Sequence, residues 1–176
     1  MVKRIYLLIG IILLTGCDTR LRELTMKKTL YLGDELRIDG YYYSNPILYE
    51  YTNETPIRVA VFYRDGFCFH TWGEPANQDT LGYIEREVLL NEAYIAKLKK
   101  EPTQIGVFRI IYPNIELETW EGRSCPFSYF GKIINDTTFI INKKVNNNMG
   151  KSFSENLTYQ FQQFSQKPDS TNSFVK

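Results

Sequence analysis

From residue 36 onward the chain carries a period of two. Leu36, Ile38, Gly40 and Tyr42 alternate with Arg37, Asp39, Tyr41 and Tyr43, the pattern of a half-buried strand, and Asn45-Pro46 breaks it. Residues 57–63 (IRVAVFY) form a second β-rich run. Asp65-Gly66 joins it to FCFHTW at 67–72, a hairpin signal. Residues 73–79 (GEPANQD) are loop.

The period then changes. Ile84, Val88, Asn91, Ile95 and Leu98 recur at helical spacing, and Lys97, Lys99 and Lys100 cluster before Pro102. Lysines favour a helix C-terminus and proline stops the helix. Helix is therefore predicted within 84–100, either continuous or restarted at Glu92 with Asn91 as its cap. Strand patterns return at 105–111 and 115–120 around Tyr112-Pro113-Asn114, and at 127–134 and 137–142 around Asn135-Asp136. Residues 143–151 (KKVNNNMGK) read as a polar loop. In 157–164, Leu157, Tyr159 and Phe161 alternate with polar partners and Phe164 falls out of phase. The sum is about 7–8 strands, mainly β, joined by short hairpins into an antiparallel meander. That number suffices to close a small barrel. The helical insertion would cover an open end or one face.

The start of the chain follows another logic. Lys3 and Arg4 precede an apolar run, Ile5 to Leu14, and then Leu14-Thr15-Gly16-Cys17. The run is shorter than the ~20 residues that span a bilayer, and the whole resembles a bacterial lipoprotein signal peptide with its lipobox. The resemblance implies cleavage before Cys17 and lipidation of its sulfur. The expected organisation is a signal at 1–16, a lipidated N-terminus and tether at 17–34, a barrel domain at 35–165 and a polar tail at 166–176. Without Lys3 and Arg4 the chain keeps 19 basic and 20 acidic residues, so there is no basic excess for nucleic acid. Aromatic residues make up 15% of the chain, with 13 tyrosines, a composition suited to half-buried sheet surfaces.

The blocks LRIDGYYYS (36–44), VFYRDGF (61–67), GVFRI (106–110), GKIINDTTFII (131–141), YQFQQF (159–164) and KPDSTNSF (167–174) resemble a family of small lipoproteins of Bacteroides-type bacteria. The resemblance spans most of the mature chain. It implies a lipid-anchored envelope protein with a lipocalin-like β-fold, and it carries over no catalytic residue. Asp18-Thr19-Arg20 after Cys17 is not an acidic run, which in that group implies an outer-membrane protein facing the periplasm. Asp136-Thr137-Thr138 and Asp169-Ser170-Thr171 resemble the short O-glycosylation motif of the same envelopes, though the first equally reads as a plain hairpin turn.

Candidate chemistry is sparse. His70 is the single histidine. It has no acid or second ligand beside it in sequence and reads as an edge or surface strand residue. Cys68 and Cys125 either pair as a disulfide, which an oxidising compartment allows, or stand as two buried thiols. Neither has a second metal ligand at suitable spacing, and no cofactor motif is present. Tyr41 and Tyr43 would offer a stacking platform or pack as ordinary sheet aromatics. Trp72 and Trp120 end strands, where they would line a pocket or close a barrel mouth. Glu116 and Glu118 share one strand face, and Glu85 and Glu87 lie close together; exposed polar faces account for both pairs better than a glycosidase carboxylate pair. The expectation is a non-catalytic module, tethered to the membrane by its N-terminal lipid, that binds a small apolar ligand or an envelope protein. The alternatives are an envelope glycan-processing hydrolase and a purely structural envelope protein.

The anchoring expectation has a direct check. Cys17→Ala should abolish acyl labelling and release the protein from membranes after a salt and carbonate wash, because the short apolar run alone holds it weakly. Retention of the variant in the washed membrane fraction would count against the lipobox.

Overall fold

The computed structural model describes residues 23–47, 55–71, 74, 76, 79–122 and 125–175. Its strands are β1 (Gly40–Ser44), β2 (Val59–Phe62), β3 (Phe67–His70), β4 (Ile105–Ile111), β5 (Asn114–Glu121), β6 (Cys125–Asn135), β7 (Thr138–Asn146) and β8 (Lys151–Gln163). Each pairs antiparallel with the next, and β1 pairs with β8 from Gly40↔Gln163 to Ser44↔Tyr159, closing an eight-stranded barrel. The protein is a mainly β, antiparallel closed barrel with a helical insertion between β3 and β4. The insertion comprises α1 (Thr80–Tyr83), a π-helical stretch Ile84–Leu89, and α2 (Glu92–Lys100). The break falls at Asn91, whose side chain accepts a 3.0 Å bond from the Tyr94 amide, the N-cap role open to it in the sequence.

The alternation of residues along each strand sorts them by face. Tyr42, Phe62, Cys68, Phe108, Leu117, Tyr129, Phe139, Ile141, Leu157 and Tyr159 point inward and are buried. Phe139 stacks on Tyr159 with centroids 4.5 Å apart and meets Tyr42 at 5.1 Å and Phe62 at 5.8 Å. The β2–β3 turn places Gly66 at φ +84°, which glycine adopts without strain. Gly106 faces Thr119 so closely that a Cβ would lie 2.0 Å from the Glu118 carbonyl oxygen; only glycine fits there.

The helices pack on one outer face. Ile84, Val88, Leu89 and Leu98 bury Tyr41, Val59, Val61, Phe67, Phe69, Ile105, Val107 and Trp120. Both ends of the described chain join this outer layer. The stretch expected to be a tether is docked from Leu24 on: Leu24 and Met26 pack against the outer cluster, and Tyr31 and Leu36 belong to the inner one. The expected polar tail is docked as well. Lys167 donates to the carbonyls of Ile38 and Phe62, Tyr63 donates to the Pro168 carbonyl at 2.7 Å, and Val175 is buried. Phe164, out of phase with its strand, meets Tyr41 edge-on at 5.9 Å on the outside. Residues 143–151, expected to be loop, are mostly strand: β7 runs to Asn146 and β8 starts at Lys151. The first strand is shorter than its pattern, beginning at Gly40 rather than Leu36.

Phe139 sits at the centre of the inner rings and is fully buried. Phe139→Ala should cost about 3–5 kcal/mol and lower the melting temperature by many degrees, as thermal denaturation would record. An unchanged melting temperature would place Phe139 outside the core.

Candidate functional site: the polar mouth of the barrel

The barrel's two ends differ. One receives the β2–β3, β4–β5 and β6–β7 turns and is closed by Tyr31 and Leu36. Tyr31 meets Phe108 at 5.6 Å, and its hydroxyl accepts a 2.8 Å bond from the Leu36 amide. The other end, the mouth, is where β3, β5 and β7 finish and β2, β6 and β8 begin. There the inward positions turn polar. They hold Arg58 just before β2, His70 on β3, Thr119 and Glu121 on β5, Tyr129 on β6, Lys144 on β7, and Glu155 and Tyr159 on β8.

These groups form one connected set. Arg58 Nη2 lies 3.7 Å from Glu155 Oε1, with side chains 5% and 15% exposed. Lys144 Nζ donates to Glu121 Oε2 at 2.6 Å. His70 Nε2 is 2.8 Å from the Tyr159 hydroxyl. The Tyr129 ring lies among them: Arg58 Cζ is 5.5 Å and Lys144 Nζ 5.5 Å from its centroid, and His70 meets it edge-on at 4.8 Å. An electron-rich ring face near two cations offsets part of their desolvation. Yet the Tyr129 hydroxyl, Thr119 Oγ1 and Glu121 Oε1 are buried and have no hydrogen-bond partner among the described residues.

The electrostatics follow from burial. His70 is held well below the ordinary histidine range, first by desolvation and then by the positive charges of Arg58 and Lys144. It is therefore a neutral imidazole at neutral pH. Desolvation pushes the Tyr159 hydroxyl up, so it too stays protonated. Lys144 is pulled down by burial, against the opposing pull of Glu121. Two cations, two carboxylates and a neutral His–Tyr pair can present donors and acceptors of both signs to a small polar molecule.

The residues singled out in the sequence are distributed differently. His70 is 3% exposed inside the barrel, not on an edge or surface, because β3 presents it on the same inward face as Cys68. Tyr41 lies on the outer face beneath the helices and donates to Glu85 at 3.2 Å. Tyr43 is half-buried on that face, its hydroxyl 3.3 Å from Gln160 Oε1. The two make no platform at the mouth. Trp120 is buried in the outer cluster and neither lines nor closes the mouth, since Thr119 and Glu121 take the inward positions beside it. Trp72 and Cys17 lie outside the described residues. Cys68 and Cys125 are free thiols, not a disulfide. Cys68 is locked among the inner rings, and Cys125 sits at the rim with Asn148 Nδ2 3.2 Å from its sulfur.

Glu118 also departs from expectation. It is fully buried on the outer face of β5 and not exposed. One carboxylate oxygen accepts from the Thr25 amide (3.1 Å), the Thr25 hydroxyl (3.0 Å) and Asn147 Nδ2 (2.6 Å), and the other from the Met26 amide (2.5 Å). It clamps the N-terminal strap to the barrel beside the mouth. Glu116, its face neighbour, pairs with Arg109 at 2.6 Å.

No protein-family model, curated protein or solved structure matches the chain.

The buried imidazole gives a pH signature. Its folded pKa lies below its unfolded value, so on acidification the unfolded chain takes the proton first. This contribution is fully present above about pH 6.5 and is lost as pH falls, by about 1.4 kcal/mol per unit until the folded pKa is reached. Denaturant titrations should be flat from pH 7.5 to about 6.5 and lose about 1.4 kcal/mol in all by pH 5.5, and His70→Gln should remove that loss. An equal loss in the variant would assign the dependence to another group.

Proposed function

We propose that this chain is a cell-envelope lipoprotein, held by lipid on Cys17 at the outer membrane and facing the periplasm, whose barrel mouth binds a small polar ligand without transforming it. The observation that carries the binding reading is the set of buried, unpartnered polar atoms at the mouth: the Tyr129 hydroxyl, Thr119 Oγ1 and Glu121 Oε1. A buried polar atom without a partner costs about 1–3 kcal/mol. A ligand carrying matching donors and acceptors recovers that cost on binding. Charges argue the same way. Buried ion pairs such as Lys144–Glu121 are often no better for stability than apolar residues of similar volume, so their concentration at one end fits recognition better than folding. The rings around Phe139 occupy the barrel's middle, which favours a polar ligand at the mouth over an apolar one deep inside. Burial and the neighbouring cations lower the basicity of His70 well below the ordinary histidine range, which makes it a weak proton acceptor and fits a binding wall better than a general base for glycan hydrolysis.

Native mass spectrometry of the lipidated protein taken from its own membrane tests this. A small polar molecule should be retained, and Tyr129→Phe should weaken its retention by about 2–10-fold, the effect of one hydrogen bond. A bare protein mass, or a ligand held equally by Tyr129→Phe and Thr119→Val, would remove the mouth from the reading.

A further inference from the structure

The N-terminal strap leaves the barrel beside the mouth. From Tyr31, whose amide donates to the Arg64 carbonyl at the closed end, the chain runs back to Thr25 and Met26 at Glu118. Asn147, in the β7–β8 turn, shares that carboxylate. Six peptide steps then separate Glu23 from Cys17, a reach of at most about 20 Å. Through that shared carboxylate the β7–β8 hairpin lies close to the anchored end of the chain.

That hairpin has the composition of an interfacial element. Met149 is 74% exposed at its tip and Phe153 39% exposed on β8, and Lys143 and Lys151 flank them, both exposed. Its turn is well defined: Asn146 Oδ1 accepts from the Asn148 and Met149 amides at 3.0 and 3.1 Å, and Gly150 takes φ +65°. One strongly exposed apolar side chain on a fixed turn, a part-exposed phenylalanine at the start of the following strand and flanking lysines suit contact at the boundary of an anionic bilayer. We propose that the β7–β8 hairpin tip rests on the lipid surface, so that the polar mouth opens toward the membrane that carries the anchor. The inference rests on lipidation of Cys17 and commits to a bilayer, not a protein, as the occupant of this surface.

The test uses the full lipidated protein, in a Cys125→Ser background, reconstituted in phosphatidylethanolamine–phosphatidylglycerol vesicles. Cysteines introduced one at a time at Met149, Phe153 or Tyr112 carry an environment-sensitive fluorophore, the fully buried Cys68 thiol being shielded from labelling in the folded protein, and the lipids carry a spin-label quencher. Tyr112 is 64% exposed at the closed end. Strong loss of fluorescence at 149 and 153 with none at 112 is expected. Loss at 112, or at none of the three sites in protein whose mass shows the acyl chains, overturns the orientation while leaving the lipoprotein reading intact. Absence of acyl mass on Cys17 removes both.

Discussion

An eight-stranded barrel encloses an interior just wide enough for side chains to fill, and most of this structure answers to that constraint. The filling is done unequally along the axis. At the closed end and in the middle, rings pack on rings: Phe62 meets Phe108 at 4.7 Å, and Phe139 lies flat on Tyr159. Such packing supplies burial worth about 1.5–3 kcal/mol per large side chain and fixes one register, since a slip by one residue would turn the rings outward. At the mouth the same inward positions carry charge. The aromatic half therefore stabilises the barrel on behalf of a polar half that costs free energy to bury.

Tyr159 and Tyr129 join the two halves. Tyr159 uses its ring on Phe139 and its hydroxyl on His70. Tyr129 offers its ring to Arg58, Lys144 and His70. Each presents an apolar body to the core and a polar edge to the mouth, which is how tyrosine commonly bridges such boundaries. Mutating either would disturb packing and electrostatics together, so effects at neighbouring mouth residues should not add.

The legible parts of the chain were those where inside means apolar and outside means polar. β4, with Phe108 inward and Arg109 outward, matches its predicted span of 105–111, and the Asp65-Gly66 turn falls where turn chemistry places it, while the β6–β7 turn is Asp136-Thr137, one residue later than the predicted Asn135-Asp136, because Asn135 still pairs with Thr138. The signal failed at the mouth, because there the inward residues are Lys144, Asn146, Glu121 and Arg58, and a polar interior erases the alternation. The stretch KKVNNNMGK looked like loop for that reason alone. The same inversion hides His70: its chemistry suggests an edge or surface, while the strand puts it on the inward face with Cys68. Glu118 was hidden differently. Its face is truly the outer one, and only the strap from a residue more than ninety positions earlier buries it; no local pattern reports such a contact. The helix break at Asn91 was visible because capping is a local interaction.

The strap gives the two failures a common geometry. Glu118 satisfies its buried charge with two backbone amides, a hydroxyl and Asn147, and charge-assisted bonds of this kind are the strong ones. The bond to Asn147 connects the strap to the β7–β8 turn, and Ser128 bonds Asn147 Oδ1 at 3.1 Å from β6. Strap, β5, β6 and the hairpin are therefore fastened at one point on the rim of the mouth. The described chain enters the fold on this side, with Leu24 packed in the outer cluster beside the Glu118 clamp, and reaches the closed end only at Tyr31. The residues that the strand pattern could not place, Glu118 outside and Lys144 inside, thus flank the same hairpin, where the chain's entry to the fold and its polar interior meet.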